Sequence, residues 1–358
     1  MRTSLLVVVG LVALSSLVMA GAPDIVNSEI AIEQARASLS NSVDDLLKRG
    51  SETRWIAWSV PAVEGHRYLC CWGRGDKLSQ RGACSLESRD RHFVMSEGHD
   101  FDRPPEIREV SVLLRAEGSR VEEVRVYSEN CRLDAGGRAL TWLEPVSADQ
   151  SVAWLTTLIG EAMDQGNPED VADEALMALA LHRGPAADRE LATLASSGPS
   201  DSLREEAIFW LGEARGQVGL EALDRLLEDE RDADIKTHIA FALTLSSTPG
   251  AMERLTAMGS TDPDPEVRGE ALFWLGQEGG AGAVDAIQSA VESDSSREVR
   301  EQAIFALSQL PDGQGTDLLL EIVQDPSQDA SVRQVALFWL AQSEDDRALD
   351  LISDILRR

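Results

Sequence analysis

Apolar residues recur with helical spacing from about residue 148 to the end of the chain, and the pattern returns at a fixed interval. Six ten-residue segments share apolar residues at their first, fifth and ninth positions; they start at Val171, Leu203, Ile235, Val267, Val299 and Val332. Successive starts lie 32 residues apart, and 33 apart at the last step. A period of this length is typical of stacked two-helix units. The pattern predicts an α-solenoid of about six units over residues 148–358.

Each unit combines a first helix with an L-x-x-L pattern, a polar turn, and a second helix of the type VRGEALFWLG (residues 267–276). The pattern D-x-x-V-R-x-x-A-x-x-x-L-G resembles HEAT repeats and is most similar to the short bacterial HEAT-like type first named from phycobilin lyases. The resemblance covers about residues 149–358, and residues 23–147 resemble no family that we recognise. It implies that the helix beginning V-R lines the concave surface of the solenoid, and that the protein binds or scaffolds other proteins.

The seventh position of each segment is apolar although it does not face the core. On a helical wheel with Val267 at 0°, Ala271 and Leu275 fall at about 40° and 80°, whereas Phe273 falls at about 240°. Because stacked units place equivalent residues side by side, we predict an apolar ladder on the concave face that binds a partner. The ladder residues are Phe209, Trp210, Phe241, Phe273, Trp274, Phe305, Phe338 and Trp339. The alternative is that a tightly curved solenoid packs these rings between successive helices.

A basic residue follows the first apolar residue in five of the six segments, at Arg204, Lys236, Arg268, Arg300 and Arg333. We expect these cations to be structural, because ion pairs of this kind are common on protein surfaces. Each would pair with an acid in a turn of its own unit or of a neighbouring one. The candidate acids are Asp262, Asp294 and Asp325.

Residues 51–147 have a different pattern, in which short β-prone runs alternate with turn signals. The runs lie at 54–60, 67–72, 92–95, 110–117, 121–128 and 139–143. Glu117-Gly118-Ser119 joins two of them in the manner of a hairpin. We predict a small antiparallel β-rich region of five to seven strands, with Trp55, Trp58, Trp72 and Trp142 in its core. An apolar stripe over residues 24–49 predicts one helix in the segment 21–50 that precedes this region.

Residues 1–20 predict a signal peptide. Arg2 provides a positive start, the segment from Leu5 to Val18 is apolar, and Val18-Met19-Ala20 offers a small-residue cleavage site. The apolar run is shorter than the roughly 20 residues needed to span a bilayer, which favours cleavage over an uncleaved anchor. We therefore expect an exported protein, periplasmic or extracellular, that is not an integral membrane protein.

The four cysteines, Cys70, Cys71, Cys84 and Cys131, all lie in the β-rich region. In an oxidising compartment this even number predicts two disulfides. A bond between the adjacent Cys70 and Cys71 is geometrically strained. We expect each of these two to pair with a different partner among Cys84 and Cys131, with the choice left open.

The excess of acidic residues lies on the repeats. The chain has a net charge of −29, and residues 151–358 contain 40 Asp and Glu residues against 15 Lys and Arg residues. This balance argues against binding of nucleic acid or anionic membrane, and it permits a partner polypeptide that is basic or carries an apolar segment. It also keeps an exported protein soluble. The side chains expected to rim the ladder as a solvated face are Glu205, Glu206, Glu270, Glu301 and His238.

Nothing in the sequence matches a catalytic or cofactor motif such as a P-loop, a dinucleotide-binding fingerprint, H-E-x-x-H or G-x-S-x-G. We expect a non-enzymatic binding protein without metal or cofactor. The alternative is an enzyme or ligand sensor whose site lies in the β-rich region, with the solenoid as its regulatory arm. Two constellations can be assembled there without supporting spacing: His66, His92 and His99 with the cysteines for a metal, and Ser59, Cys71, His92 and Asp100 for a nucleophile.

Overall fold

The computed structural model describes residues 22–65, 69–70, 84–88, 107–164, 169–343 and 345–357. The strands within these ranges are β1 (Asp24–Val26), β2 (Ile30–Gln34), β3 (Arg54–Pro61), β4 (Cys84–Ser85), β5 (Glu109–Glu117), β6 (Arg120–Ser128), β7 (Arg132–Asp134) and β8 (Leu140–Glu144). The helices are α1 (Leu39–Leu47), α2 (Ala148–Asp164), α3 (Glu169–Ala180), α4 (Pro185–Ser197), α5 (Asp201–Ala214), α6 (Gly216–Asp229), α7 (Ala233–Leu245), α8 (Ala251–Thr261), α9 (Pro265–Glu278), α10 (Ala281–Ser293), α11 (Arg297–Gln309), α12 (Gln314–Gln324), α13 (Ala330–Gln342) and α14 (Asp346–Arg357).

The larger sheet has the strand order β2-β8-β3-β5-β6. β3, β5 and β6 are antiparallel neighbours, and the predicted hairpin between β5 and β6 is confirmed, with Gly118 at φ +59° in the turn. β8 lies between β2 and β3 and runs parallel to both. A smaller parallel sheet has the order β1-β7-β4. The fold class, a β-rich region followed by a helical solenoid, is confirmed, whereas the expectation of purely antiparallel pairing is wrong.

The single helix predicted over residues 24–49 is wrong in its first half. Residues 24–26 and 30–34 form β1 and β2, and only residues 39–47 are helical. Asn27 has a left-handed backbone conformation, φ +54°, which turns the chain between the two strands. Ser38 then starts α1, because its side chain accepts a hydrogen bond from the N–H of Asn41.

The larger sheet is covered on both faces. Ile56 and Trp58 of β3 face a core that the sheet shares with α1, α2 and α3. Trp55 and Trp142 face a second core against the smaller sheet. Trp55, Trp58 and Trp142 are buried as predicted, and Trp72 lies outside the described residues.

The second core contains the cysteines that the structure describes. Cys70 and Cys131 form a disulfide, which is one of the pairings that the sequence left open. Cys84 is also disulfide-bonded, and Cys71 lies outside the described residues. All three described cysteines are buried in the second core together with Leu86. Because this region is short, it can bury only a limited number of apolar residues. The disulfide therefore adds stability to its core.

After β8 the helices form six pairs, from α2/α3 to α12/α13, followed within the described residues by α14. The second members of the pairs, α3, α5, α7, α9, α11 and α13, pack on one another as one layer, which we call the second-helix layer. The N-terminus of α9 is capped by an aspartate. Asp264 accepts a hydrogen bond from the N–H of Glu266, and Pro265 occupies the first turn of the helix. The predicted solenoid of about six units is confirmed.

The hydrophobic core does not end where the helices begin. The indole N–H of Trp58 in β3 donates to Ser151 Oγ of α2 at 2.8 Å. The backbone N–H of Val124, on the edge strand β6, donates to a carboxylate oxygen of Glu174 in α3 at 2.8 Å. One apolar cluster runs from the sheet through α2 and α3 into the later repeats. The β-rich region is therefore packed directly on the first helix pair.

The predicted signal peptide, residues 1–20, lies outside the described residues. Among the helices that the structure describes, none is long and apolar enough to cross a membrane. Export therefore stays a prediction.

Candidate binding site on the aromatic row

The predicted ladder forms one continuous series of contacting rings, which we call the aromatic row. Its order along the array is Trp210, Phe209, Phe241, Trp274, Phe273, Phe305, Trp339 and Phe338. Neighbouring ring centroids lie 4.6 to 6.4 Å apart, within the range in which aromatic pairs attract each other. The row crosses α5, α7, α9, α11 and α13. Stacking of the repeats therefore brings together all eight residues that the sequence singled out.

Two kinds of ring contact alternate along the aromatic row. Phe209 stacks on Phe241 of the next unit, with centroids 6.4 Å apart and planes inclined by 27°. Trp274 of the following unit reaches back to Phe241 at 4.8 Å. The same two contacts recur one pair of units later. The surface thus repeats with every second unit.

The rings of the aromatic row are partly buried by one another. Trp210 is only 4% exposed at the end near the β-rich region, whereas Phe338 is 56% exposed at the far end. The other six rings are intermediate. The rings pack between successive helices and still present some of their surface. The predicted exposed ladder and the alternative of rings packed between helices therefore each hold in part. The binding role of these residues stays a prediction.

The indole N–H groups of the row have different surroundings. Trp210 donates from Nε1 to Glu206, one turn earlier in α5, at 2.7 Å. The Nε1 of Trp274 is buried without a hydrogen-bond partner, although Glu270 occupies the matching position one turn earlier. Burial is the main reason that the pKa of Glu206 is raised; the bond from Trp210 opposes this effect, and the charge of Asp173 adds to it. A poorly solvated carboxylate therefore adjoins the near end of the row.

The acids expected to rim the ladder lie beside the row and are half-buried instead of fully solvated. Glu205 lies 3.3 Å from Nε2 of His238 on the next second helix. Glu301 is paired with Arg297 of its own helix at 2.7 Å. The rim acids thus lie beside both halves of the row, Glu205 and Glu206 beside the near half and Glu270 and Glu301 beside the far half.

A row of amides accompanies the far half of the aromatic row, and sequence reasoning missed it. The amide row consists of Gln277, Gln309 and Gln342, each four residues after a phenylalanine of the aromatic row and so on the same helix face. Gln277 donates from Nε2 to Oε1 of Gln309 at 3.4 Å. The signal was present in the sequence, because the three amides recur with the spacing of the repeat itself.

The basic residues of the second helices connect successive units. Arg268 donates to both carboxylate oxygens of Asp294, in the turn after the next first helix, at 2.8 and 2.9 Å. It also donates to the backbone oxygen of Asp262 in its own turn at 2.8 Å. Lys236 pairs in the same way with the side chain of Asp262 at 2.9 Å. The structural role of these cations is therefore supported by the geometry at two of the three candidate acids.

Arg300 departs from the expected pairing. Its closest carboxylate is Asp329, at 3.5 Å, and not Asp325. The last turn contains one additional residue, which is also why the final repeat spacing is 33. Asp325 instead accepts from Ser327, and this hydrogen bond is the main cause that lowers its pKa.

Replacing Arg268 by methionine should lower the free energy of unfolding by about 2 kcal/mol, because Asp294 and a backbone carbonyl would lose their donor while half-buried. Arg254→Met is the matched control, since Arg254 forms a 2.7 Å pair with Asp224 but is 46% exposed. That change should cost much less stability than Arg268→Met, because exposed ion pairs contribute little. Urea unfolding of both variants measures the difference, and equal costs would contradict a structural role for Arg268.

The constellations considered in the β-rich region are only partly described. His66, His92, His99, Cys71 and Asp100 lie outside the described residues. Within the described part, no group of three or more His, Cys, Asp or Glu residues could hold a metal ion. The alternative of an enzyme or sensor site in this region stays a prediction.

Polar residues described on the second face of the sheet have structural partners. Arg125 lies over the ring of Trp55 at 5.8 Å and donates to the backbone oxygens of Ser85 and Ser88. Trp55 in turn donates to Glu87 at 3.0 Å. These contacts hold residues 84–88 against the sheet.

The comparisons with known proteins concern the helical array. The model of the family described as HEAT repeats matches residues 252–336. No curated protein matches the chain. The β-rich region lies outside the family match.

Three solved structures resemble parts of the chain. Human deoxyhypusine hydroxylase in complex with glycerol is 18% identical, covering 54% of this chain and 85% of its own, with a TM-score of 0.29. The complex of CpcE and CpcF of phycocyanin lyase from Nostoc sp. PCC7120 is 21% identical, covering 44% and 99%, with a TM-score of 0.32. YibA of E. coli is 17% identical, covering 57% and 82%, with a TM-score of 0.32. 

The family match runs from α8 into α13, and it includes Phe273, Trp274 and Phe305 of the aromatic row and Gln277 and Gln309 of the amide row. HEAT repeats are typical of protein-interaction scaffolds. The resemblance stated from the motif D-x-x-V-R-x-x-A-x-x-x-L-G is therefore confirmed. Within the helical array, residues 252–336 match the model of HEAT repeats.

Proposed function

We propose that this chain is an exported, non-enzymatic binding protein that holds a polypeptide segment along the aromatic row. The single observation that carries the proposal is the continuity of the row: eight rings contact one another across five helices, and most of them remain partly exposed. Contiguous apolar surface of this kind commonly marks a binding site. An extended occupant fits a linear surface better than a compact ligand does.

The packing of the rings favours affinity. Each phenylalanine between the ends of the row is held by a ring of a neighbouring unit, so few of its rotamers remain to be lost on binding. A preorganised surface binds more tightly than a flexible one of equal area, because less conformational entropy is lost. Aromatic residues, including phenylalanine and tryptophan, are also enriched at the centres of protein interfaces.

Export has independent support in the disulfide chemistry. Cys70 and Cys131 are bonded, and Cys84 is bonded as well. Such bonds persist in oxidising compartments and are rare in the cytosol. Together with the pattern of residues 1–20, they support a periplasmic or extracellular protein.

Replacing Phe241, Phe273 and Phe305 together by serine should reduce capture of partner proteins from the exported protein fraction by at least about tenfold, because hot-spot rings contribute most of the affinity. The measurement is quantitative mass spectrometry of proteins retained by the immobilised full chain. Circular dichroism reports whether the variant is folded. Val218→Ser serves as control. Val218 is 45% exposed on α6, a first helix of its pair, and so lies outside the second-helix layer that carries the row.

A second variant separates binding from packing, because the three rings also contact their neighbours. Leucine at the same three positions keeps apolar volume and removes the flat ring faces. This variant should fold and lose a measurable part of the captured partners. If it folds and captures the same proteins in the same amounts as the wild type, the row is only core and the proposal fails.

A further inference from the structure

One of the four glutamates that rim the aromatic row has no partner within the part of the chain that the structure describes. The other three are engaged by neighbouring side chains: Glu205 by His238, Glu206 by Trp210 and Glu301 by Arg297. The carboxylate of Glu270 on α9 accepts no hydrogen bond and forms no ion pair with any described residue. Glu270 is also half-buried. Because water solvates this carboxylate only in part, a partner for its charge would stabilise it.

The tryptophans of the row account for the difference between Glu206 and Glu270. Each of these acids lies one turn before a tryptophan, and Trp210 donates its indole N–H to Glu206 at 2.7 Å. Trp274 instead packs on Phe241 of the preceding unit, with ring centroids 4.8 Å apart. Its Nε1 is buried without a hydrogen-bond partner among the described residues. Glu270 is therefore left available beside the rings.

The cations of the adjoining second helices are paired with other acids. Within the described residues of α7, α9 and α11, the pairs are Lys236 with Asp262, Arg268 with Asp294, Arg300 with Asp329, Arg297 with Glu301, and His238 with Glu205. None of these side chains is paired with Glu270. A cation of a bound molecule would thus meet a carboxylate for which these three helices supply no counter-charge.

The surroundings of Glu270 suit the side chain of a lysine or an arginine. On the helical wheel Glu270 lies about 60° from Phe273 and about 40° from Trp274, so it borders both rings. Gln302 of α11 lies against Gly269, where its amide oxygen would overlap an added Cβ. The rings can cover the apolar stem of a basic side chain. Glu270 and the amide oxygen can accept hydrogen bonds from its charged end.

We propose that Glu270, Gln302 and the rings of Phe273 and Trp274 form a site for one basic side chain of the bound polypeptide, which we call the cation subsite. This inference rests on the proposed function and specifies the partner: a segment in which a lysine or arginine is flanked by apolar residues. The flanking residues contact rings on both sides of the subsite, since the row continues on α7 and α11. Charge complementarity and the incomplete solvation of Glu270 both favour this occupant.

The test selects random dodecamer peptides displayed on phage, in parallel on the full-length protein and on its Glu270→Gln variant. The wild type should enrich segments with a lysine or arginine between apolar residues, and the variant should enrich apolar segments without it. Glutamine has nearly the shape of glutamate, and no described residue loses a partner, so the variant should fold; circular dichroism checks this. Enrichment of the same basic residue by both proteins would overturn the cation subsite.

A double-mutant cycle measures the pairing directly. It uses a synthetic peptide of the wild-type consensus and a second peptide in which glutamine replaces the basic residue. Glu270→Gln should weaken the first peptide about tenfold and the second less than about twofold, because a charge pair couples only when both partners are present. Added salt should weaken the first peptide more than the second. Equal losses for both peptides would overturn the contact between Glu270 and the basic residue.

Glu228→Gln is the control for the change in net charge. Glu228 is exposed on α6, a first helix of its pair, and so lies outside the second-helix layer. This variant loses the same charge as Glu270→Gln and should change the affinity of both peptides less than about twofold. A tenfold loss for the first peptide in this variant would mean that net charge, and not the cation subsite, attracts the basic residue.

The outcomes separate this inference from the function on which it rests. Peptides whose binding depends on Phe241, Phe273 and Phe305 but not on Glu270 overturn the cation subsite alone. Peptides whose binding is unchanged in the serine and leucine variants of these phenylalanines overturn the proposed function as well. A selection that enriches no peptide has the same consequence.

Discussion

Replacing Gly212 by alanine should lower the free energy of unfolding by about 3 kcal/mol, at the upper end of the cost of overpacking a well-packed interface. A Cβ atom at Gly212 would overlap the backbone oxygen of Ala242 on the neighbouring helix α7. The backbone of a helix cannot move aside as a flexible side chain can. Gly276→Ala should act in the same way at α9 and α11, where the added Cβ would lie 2.6 Å from the oxygen of Ala306.

Gly160→Ala is the matched control for Gly212→Ala. Gly160 also lies within a helix, α2, but it is exposed and an added Cβ would meet nothing within 4 Å. The same substitution should therefore stabilise the chain by about 0.5 to 1 kcal/mol, because alanine loses less backbone entropy in a helix. Urea unfolding of the three variants gives the comparison. Equal effects at positions 160 and 212 would show that the helices are not in close contact at Gly212.

The two glycines explain why the surface repeats with every second unit. Gly212 and Gly276 follow Trp210 and Trp274 by two residues, and each meets an alanine-bearing helix at close range. At these close junctions the phenylalanines stack face to face, with Phe273 and Phe305 inclined by only 12°. At the other junctions a tryptophan lies between the helices. Trp and Ala alternate at this position of the repeat, as Trp210, Ala242, Trp274, Ala306 and Trp339, and the glycine contacts give the alternation a physical cause.

The sequence predicted the solenoid well because its core contacts are local and periodic. A residue such as Val267 is buried by neighbours that recur one repeat away, so periodicity alone identifies it. The β-rich region lacks this property. β2 pairs with β8, far along the chain, and no local pattern specifies such a partner. Ile30 and Ile32 therefore fitted an amphipathic helix as well as a strand.

For the candidate site, the helical wheel correctly separated Phe273 from the core position Ala271. It could not predict the half-burial of Phe273, because a wheel describes one helix and burial depends on the distance to the next. The amide row shows a different limit. Gln309 is unremarkable by itself, and it becomes part of a surface only when Gln277 lies beside it.

The junction between the β-rich region and the first repeat contains a histidine that sequence reasoning did not single out. His182, two residues after the end of α3, is fully buried. Its Nδ1 lies 2.6 Å from the backbone oxygen of Ala178, so this nitrogen carries the hydrogen. Its Nε2 then accepts from Ser151 Oγ at 2.7 Å, and Ser151 accepts from Trp58 at 2.8 Å. The chain of hydrogen bonds is complete only when His182 is neutral.

Acidification should therefore weaken this junction. Burial is the main cause that lowers the pKa of His182 to about 4; the bond to Ala178 opposes it, and the charge of Arg215 adds to it. In the unfolded chain the pKa returns to the ordinary value of 6.5. Between these values the unfolded state binds more protons than the folded state, so the free energy of unfolding falls as the pH falls.

The expected loss attributable to His182 is about 2 kcal/mol between about pH 7 and pH 4.5, measured by urea unfolding at each pH. His182→Gln is the control, because its amide can donate to Ala178 and accept from Ser151 but does not titrate. Carboxylates contribute equally to both proteins, so the difference between wild type and variant isolates the histidine. The variant should be less stable than the wild type at pH 7 and should lose less stability on acidification. Parallel pH profiles would mean that the pKa of His182 is the same in the folded and the unfolded chain, and the buried hydrogen-bond chain from Trp58 would then be wrong.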